Sequence, residues 1–490
     1  MRNSSLTSHS IDSSSSIQAA IFANGSCDPF TPRTSPCLLG NYVHYSVNVS
    51  NAEDIAATIR FADKNRIRLV IRNTGHDYMG RSTGAGGLAI WTHYLKNIEV
   101  KDWSDDEYKG KAIKIGAGVQ GWEANAAARA AGLVVVTGEC PTVGVAGGYT
   151  QSGGHSPLSS SFGLSADNTL EFEVVTADGR LVKASPSSKE HAELFWALSG
   201  SGSGNFGVVV SVTLRAHPDA VTSGVSFTVS QPGVHHSVVL NAFHAALPGI
   251  IDAGTQVTYY AMPSVMVAHS ISGYNRTRAD LESAIAPFFK SLSALNITVT
   301  PNFTTFSSYH DHYLHYYGPL PAGVFGGAGD QMMGGRLVSR EALGHAELAA
   351  AFNTTMSLGA MFIGQALDVS RFGKSNRRAV QPHWRNAIVM TAYSVPFTFD
   401  LPFSEMAKRQ DNITTMIMPV VEKLTPKAGA YINEADFQQK DWQETFYGQG
   451  NYEKLKRVKT RYDPKGIWWH RIAVGGEGWA AREDGRLCEA

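Results

Sequence analysis

Cysteine is scarce in this chain, four in 490 residues, which excludes a scaffold built on disulfides. Net charge is missing as well. Forty-two basic side chains balance 42 acidic ones and no basic stripe appears, so nucleic acid and anionic membranes are excluded as main partners. No uninterrupted apolar run approaches the length of a membrane span. No strand-like run leads into Gly-x-Gly-x-x-Gly with an acidic residue about twenty positions on, which disfavours a doubly wound dinucleotide fold. There is no internal repeat, and the first twenty residues are Ser-rich and too polar for a signal peptide.

Glycine, by contrast, is plentiful at 48, and it crowds two loops. The first follows the apolar run 67–71 and reads Arg72-Asn73-Thr74-Gly75-His76, with Gly80, Ser82, Gly84, Gly86 and Gly87 close behind. Such a loop turns tightly and offers N–H groups to a diphosphate. His76 at its mouth is partly neutral near pH 7, so an imidazole nitrogen can act as a nucleophile; alternatively it satisfies a loop hydrogen bond. The second loop follows the run 132–136 and contains Cys140, Thr142, Val143 and Gly144, then Gly147, Gly148, Gly153, Gly154 and His155. This glycine density among Val and Ala points to close backbone approach to a planar ligand. Cys140 alone reads as a buried structural thiol. Paired with the His76 loop, it reads as a second grip on one cofactor, a flavin held covalently twice.

At these residues the chain resembles the fungal berberine-bridge-enzyme-like oxidoreductases of the wider vanillyl-alcohol-oxidase superfamily. The likeness extends through Leu158 to Gly163, Asp167 and Asn168, similar to the family's flavin-lining segment, and to Asn205-Phe206-Gly207-Val208-Val209. It returns at Tyr431-Ile432-Asn433-Glu434 and at residues 451–464. The resemblance implies FAD joined through its 8α-methyl group to His76 and through its 6-carbon to Cys140. The remaining cofactor contacts it implies come from Arg72, Asn73, Thr74, Gly75, Gly80, Ser82, Thr142, Val143, Gly144, Gly147, Gly148, Gly153, Gly154, His155, Leu158, Gly163, Asp167, Asn168, Gly207, Val209 and Asn433. Val143 matches the place where the family sets access of dioxygen, and valine there favours an oxidase. Tyr431 and Glu434 are the implied catalytic residues. Plant relatives carry a second tyrosine where this chain has Glu434. In an extended strand Glu434 would face away from Tyr431 and Asn433, so the segment must bend to bring all three to the flavin.

The resemblance implies an α+β chain with two domains: a PCMH-type FAD-binding domain at 41–218 after an N-terminal arm at 1–40, and a substrate domain at 219–428 whose antiparallel sheet is backed by helices. Residues 429–490 return to the FAD domain. Local patterns agree. A helix over 53–63 is capped by Ser50 or Asn51, and strands are expected near 113–116, 134–136, 171–176, 208–214, 225–229 and 256–260. Helices are expected at 122–131, 280–291 and 340–352. Cys27 and Cys37 bracket a Pro-rich loop suited to a disulfide. Eight Asn-x-Ser/Thr sequons, at Asn3, Asn24, Asn48, Asn275, Asn296, Asn302, Asn353 and Asn412, point to a secreted or vesicular glycoprotein whose signal peptide has been removed.

His310, His312 and His315 invite a metal reading, but a helix would swing His310 away from the other two. With Tyr309, Tyr313, Tyr316 and Tyr317 they read instead as an aromatic wall of the substrate pocket, or as packing between domains. The expected activity is that of an FAD-dependent oxidase acting on a small organic molecule of secondary metabolism. Hydride passes to flavin and then to dioxygen, giving hydrogen peroxide, in a monomer or weak homo-oligomer. A carbohydrate oxidase that forms a lactone and a flavin-stabilised non-redox cyclase are the alternatives.

Overall fold

The computed structural model describes residues 11–24, 26, 30–231, 236–325, 331–373, 377–482 and 487–490. The sequon at Asn3 and the cysteine at Cys27, expected to pair with Cys37, lie outside them.

Strands β1 (Tyr45–Asn48), β2 (Leu69–Arg72) and β3 (Leu88–Trp91) form a parallel sheet in the order β1-β3-β2. The helix Ala52–Asn65 connects β1 to β2. Its start follows from the sequence: the Asn51 side chain accepts from the Glu53 and Asp54 N–H groups, satisfying donors that have no partner in the first turn. Ser50 donates to Asp54 instead of capping. Strands β4 (Ile98–Ser104), β5 (Lys109–Gly116), β7 (Thr169–Val175), β8 (Leu181–Ala184) and β9 (Val208–Arg215) build a five-stranded antiparallel sheet, ordered β4-β5-β9-β7-β8. The strand expected at 134–136 is a two-residue pair, β6 (Leu133–Val134) against β10 (His217–Pro218). Beyond it Val135 and Val136 carry the chain, still buried, toward Cys140.

Strands β11 (Thr222–Val229), β12 (Gln256–Met262), β13 (Val265–Tyr274), β14 (Asn302–Phe306), β15 (Gln331–Ser339), β16 (Met361–Ala366) and β17 (Ala387–Pro396) form a seven-stranded sheet, ordered β14-β11-β13-β12-β16-β17-β15. Every pairing in it is antiparallel. Helices His236–Asp252, Arg278–Ala294 and Ala346–Ser357 share an apolar core with this sheet. The helix expected over 340–352 is two, Arg340–Leu343 and Ala346–Ser357, interrupted at Gly344 and His345. This mixture of helices with antiparallel sheets is the expected α+β class. Apolar side chains at 430–474, including Tyr447, Leu455 and Trp468, join the core of the first half, so the chain's end packs back on its beginning. A third cluster joins Val134, Val136 and Leu158 to Tyr309, Tyr313, Tyr316 and Tyr317 between the halves.

Candidate functional site

Both glycine loops converge on one cavity of about 520 Å³ between the five-stranded and seven-stranded sheets. β2 delivers the first loop and the run behind β6 delivers the second, and they interlock. A Cβ on Gly144 would lie 1.9 Å from Asn73 Nδ2, an amide already donating to the Ala117 carbonyl at 2.7 Å. No side chain fits there. His76 Nε2 lies 2.8 Å from Thr142 Oγ1, and Cys140 Sγ lies 3.4 Å from the same oxygen. One buried hydroxyl thus touches both side chains expected to hold the flavin. Burial, helped by the charge of Arg72, lowers the His76 pKa to about 3, leaving the imidazole neutral with a free lone pair. Burial also pushes the Cys140 thiol up.

On the opposite wall the chain bends between Tyr431 and Glu434, the Glu434 N–H donating to the Tyr431 carbonyl at 2.9 Å. The bend brings Tyr431, Asn433 and Glu434 to the same cavity. It is possible because β15 has glycine beneath it: a Cβ on Gly335 would lie 2.0 Å from the Glu434 carbonyl oxygen. Asn433 Nδ2 donates to the Tyr431 hydroxyl at 2.7 Å and to the Gly148 carbonyl at 3.0 Å, and its Oδ1 accepts from Arg81 at 2.7 Å. His155 Nε2 lies 3.0 Å from Glu434 Oε1. Burial works against a charged His155, but the Glu434 carboxylate outweighs it and the pKa is raised. Burial, then the Glu434 charge, raises the Tyr431 phenol.

Of the sequence-expected residues, Asn73, Thr74, Gly75, His76, Ser82, Cys140, Val143, Gly144, Gly147, Gly148, His155, Gly207, Val209, Tyr431, Asn433 and Glu434 line this cavity. Others do not, for identifiable reasons. Arg72 is buried behind the loop, donating to the Ser13 carbonyl. Gly80 packs against the Phe22 ring. Thr142 sits one layer behind His76 and Cys140. The carbonyls of Gly153 and Gly154 accept from Ala166 and Ser165, Leu158 packs among the tyrosines between the halves, and Gly163 lies against Phe372. Asp167 pairs with Arg385 through two hydrogen bonds, and Asn168 holds the Phe162 and Leu164 carbonyls. Through Asp167 the segment expected to line the flavin also braces the second half.

The helix Tyr309–Tyr317 is likewise no wall of the cavity. Tyr313 donates to the Gly138 carbonyl at 2.9 Å and so clamps the Cys140 loop, while His312 Nε2 meets Ser272 Oγ at 2.9 Å inside the core.

Sequence reasoning passed over several lining residues. Arg81, Glu139, Trp468, Trp469 and His470 border the cavity on the first half, and Tyr260, Met361, Ile363 and Gln365 on the second. The available signal was the Trp468-Trp469-His470 cluster. Arg81 Nη1, Asn73 Oδ1, His155 Nδ1 and both His470 nitrogens are buried with no partner among the described residues. Buried polar atoms are normally paired, so these donors and acceptors fit a large polar, planar ligand such as FAD.

Residues 43–185 match the FAD binding domain family and residues 430–475 the berberine and berberine-like family. FAD-linked oxidoreductase ZEB1 of Gibberella zeae is 46% identical over 481 residues, covering 98% of this chain and 84% of its own length. The chain belongs to the berberine-bridge-like FAD-linked oxidoreductases. The crystal structure of the VAO-type flavoprotein MtVAO615 from Myceliophthora thermophila C1 superposes with a TM-score of 0.94 at 37% identity, covering 99% of this chain and 89% of that one. A glucooligosaccharide oxidase from Acremonium strictum, described with 6-S-cysteinyl, 8α-N1-histidyl FAD, shares the fold at a TM-score of 0.72 and 18% identity, over 92% of this chain and 94% of that one. This berberine-bridge-like chain is therefore an FAD-dependent oxidoreductase, and among its described residues no helix is long and apolar enough to cross a membrane.

Proposed function

We propose that this enzyme is an oxidase that carries FAD on two covalent bonds, through His76 and Cys140, and oxidises a small alcohol of secondary metabolism with release of hydrogen peroxide. The observation that carries the reading is the single Thr142 hydroxyl in contact with both side chains. Both side chains also border the cavity that the Tyr431–Glu434 bend closes. The bicovalent linkage described for the glucooligosaccharide oxidase supports it.

Bound FAD would supply a two-electron acceptor that dioxygen can reoxidise. The chain supplies the rest. Glu434, positioned by His155, takes the hydroxyl proton as the adjacent carbon gives up hydride, and this proton transfer is what a base beside the reacting group contributes. Asn433, fixed between Arg81, Gly148 and Tyr431, holds the bend that aims Glu434. Met333, Met361 and Ile363 give the carbon skeleton an apolar floor that excludes water. Val143 borders the cavity beside Cys140 and leaves a route for dioxygen.

The same reading places the two domains at 41–218 and 219–428 and the enzyme, as a monomer or weak homo-oligomer, in the secretory route. Exposure of Asn24, Asn48, Asn275, Asn296, Asn302 and Asn412 supports that route. Anaerobic mixing tests the activity. Loss of the oxidised-flavin absorbance with an alcohol, followed by stoichiometric peroxide on admitting air, is expected. Bleaching by sugars alone would make it a carbohydrate oxidase, and product without bleaching would make it a non-redox cyclase.

A further inference from the structure

The cavity holds a second carboxylate that this chemistry does not use. Glu139, adjacent to Cys140, is 7% exposed. Its Oε1 accepts from Gln256 Nε2 at 3.0 Å and from the Thr258 hydroxyl, and its Oε2 accepts from Gln365 Nε2 at 2.9 Å. All three donors are neutral, and no ion pair to Glu139 occurs among the described residues. Buried carboxylates are ordinarily paired with a cation. A carboxylate has about four acceptor positions, so amide and hydroxyl donors leave one open on Oε2.

Tyr260 stands two residues beyond Thr258 on β12, hence on the same face of the sheet. It lines the same cavity, and its hydroxyl is buried with no partner among the described residues. Buried tyrosine hydroxyls normally find a partner. The bonds from Gln256, Thr258 and Gln365 explain Glu139 as a tie between the Cys140 loop and the seven-stranded sheet, yet they leave the Tyr260 hydroxyl unexplained. An acceptor with a free position and a donor with no acceptor, bordering one cavity, is the complement of an O–H group.

The position of this pair relative to Glu434 follows from strand register. Tyr260 pairs with Ile363, Ile363 with Ala392, and Ala392 with Gly335, on which the Glu434 backbone rests. Three strand spacings separate the ends of that row, roughly 14 Å between backbones, and Tyr260 and Glu434, at its two ends, both border the one cavity.

We propose that Glu139 and Tyr260 form a second polar subsite that binds a hydroxyl group of the substrate remote from the carbon being oxidised, so that preferred substrates carry two hydroxyls. The substrate donates to Glu139 and accepts from Tyr260. This rests on the alcohol-oxidase reading of the same cavity and adds a substrate class to it.

The test is titration of the oxidised holoenzyme under anaerobic conditions, with Kd read from the initial perturbation of the flavin spectrum. The probes are 3- and 4-hydroxybenzyl alcohol, their methyl ethers and unsubstituted benzyl alcohol. At least one hydroxylated probe should bind about 10-fold or more tightly than its ether, as a hydrogen bond to a charged group implies. Glu139→Gln should reduce that preference to below about threefold without changing the ether's Kd. Tyr260→Phe should weaken the hydroxylated probe and its ether alike, by about three- to tenfold, relative to benzyl alcohol. Should Glu139→Gln fail to retain flavin, Tyr260→Phe decides alone. Wild-type enzyme that does not discriminate the pairs, or that binds none of the probes, overturns the subsite, as do variants that keep the wild-type preferences. Bleaching by any other alcohol in such a case leaves the oxidase reading standing, whereas discrimination of probes without bleaching or peroxide preserves the subsite and removes the oxidase.

Discussion

Replacing Glu434 by Gln is the most searching perturbation of the active site, because it removes a proton acceptor while keeping the shape. Glutamine can still present an oxygen to His155, which now lies 3.0 Å from Glu434 Oε1, and Gly335 leaves the same room for the backbone. Positioned general bases contribute about 10²–10⁴-fold, so anaerobic flavin reduction should slow by at least about 100-fold. Reoxidation by dioxygen, which needs no proton from the substrate, should be nearly unchanged. The pH dependence supplies a second reading. Burial disfavours charged His155, but Glu434, with a smaller contribution from Glu139, raises its pKa above the ordinary 6.5. A raised value means the proton is held to higher pH than on an ordinary imidazole and is lost only as pH rises. The reduction rate in the wild type should therefore climb with pH through a limb above 6.5. In Glu434→Gln the opposing burial dominates and the limb should move below that value. Stopped-flow reduction across pH measures both. An unchanged reductive rate, or a limb that stays in place, would refute the pairing of His155 and Glu434 as the proton-accepting unit.

Two further outcomes follow from the packing. His76→Ala and Cys140→Ala should each leave FAD attached by one bond with a lowered reduction potential, and the double variant should release FAD on acid precipitation; intact mass of the denatured chains checks this, and retained FAD in the double variant would refute the attachment sites. Lys459→Met should destabilise the fold by about 3–5 kcal/mol, the cost of stranding one partner of a buried pair. Lys459 Nζ lies 2.7 Å from the Asp463 carboxylate, which is fully buried and in turn holds the Ile467 and Trp468 N–H groups. Thermal unfolding of the holoenzyme measures it, and an unaltered transition would count against the pair's role in holding Trp468, Trp469 and His470 at the cavity.

The two glycine loops that border the cavity were legible because each is contiguous: strand, glycines and one nucleophile occupy a dozen residues, and local sterics alone make them stand out. The cap at Asn51 and most strands were legible for the same reason. The bend at Tyr431–Glu434 could be required from strand alternation before it was seen. The pairing of Asp167 with Arg385 was not legible because the two lie 218 positions apart, and a carboxylate followed by an amide reads identically whether it meets a ligand or a guanidinium. The tyrosines of 309–317 had two readings, a pocket wall or a domain joint. Only the contact of Tyr313 with the Gly138 carbonyl selects the joint.

The residues that sequence reasoning passed over share a cause. Glu139, Tyr260 and Gln365 come singly from a loop and two strands, and they acquire meaning only when sheet register brings them together. The same holds for His155 and Glu434, which are 279 positions apart. Their separation has a physical consequence beyond legibility. His155 belongs to the glycine-rich loop of the first half, while Glu434 is supported from below by Gly335 of the seven-stranded sheet. Glu139 is tied to that sheet as well, through Gln256, Thr258 and Gln365. Neither half alone closes the cavity, whose lining comes from both. A cavity at the junction of two independently packed cores exists only while those cores are docked, and the Tyr313 clamp makes that docking a condition for holding Cys140 in place. The placement of the Cys140 thiol and the placement of the Glu434 carboxylate are thus two results of one packing event.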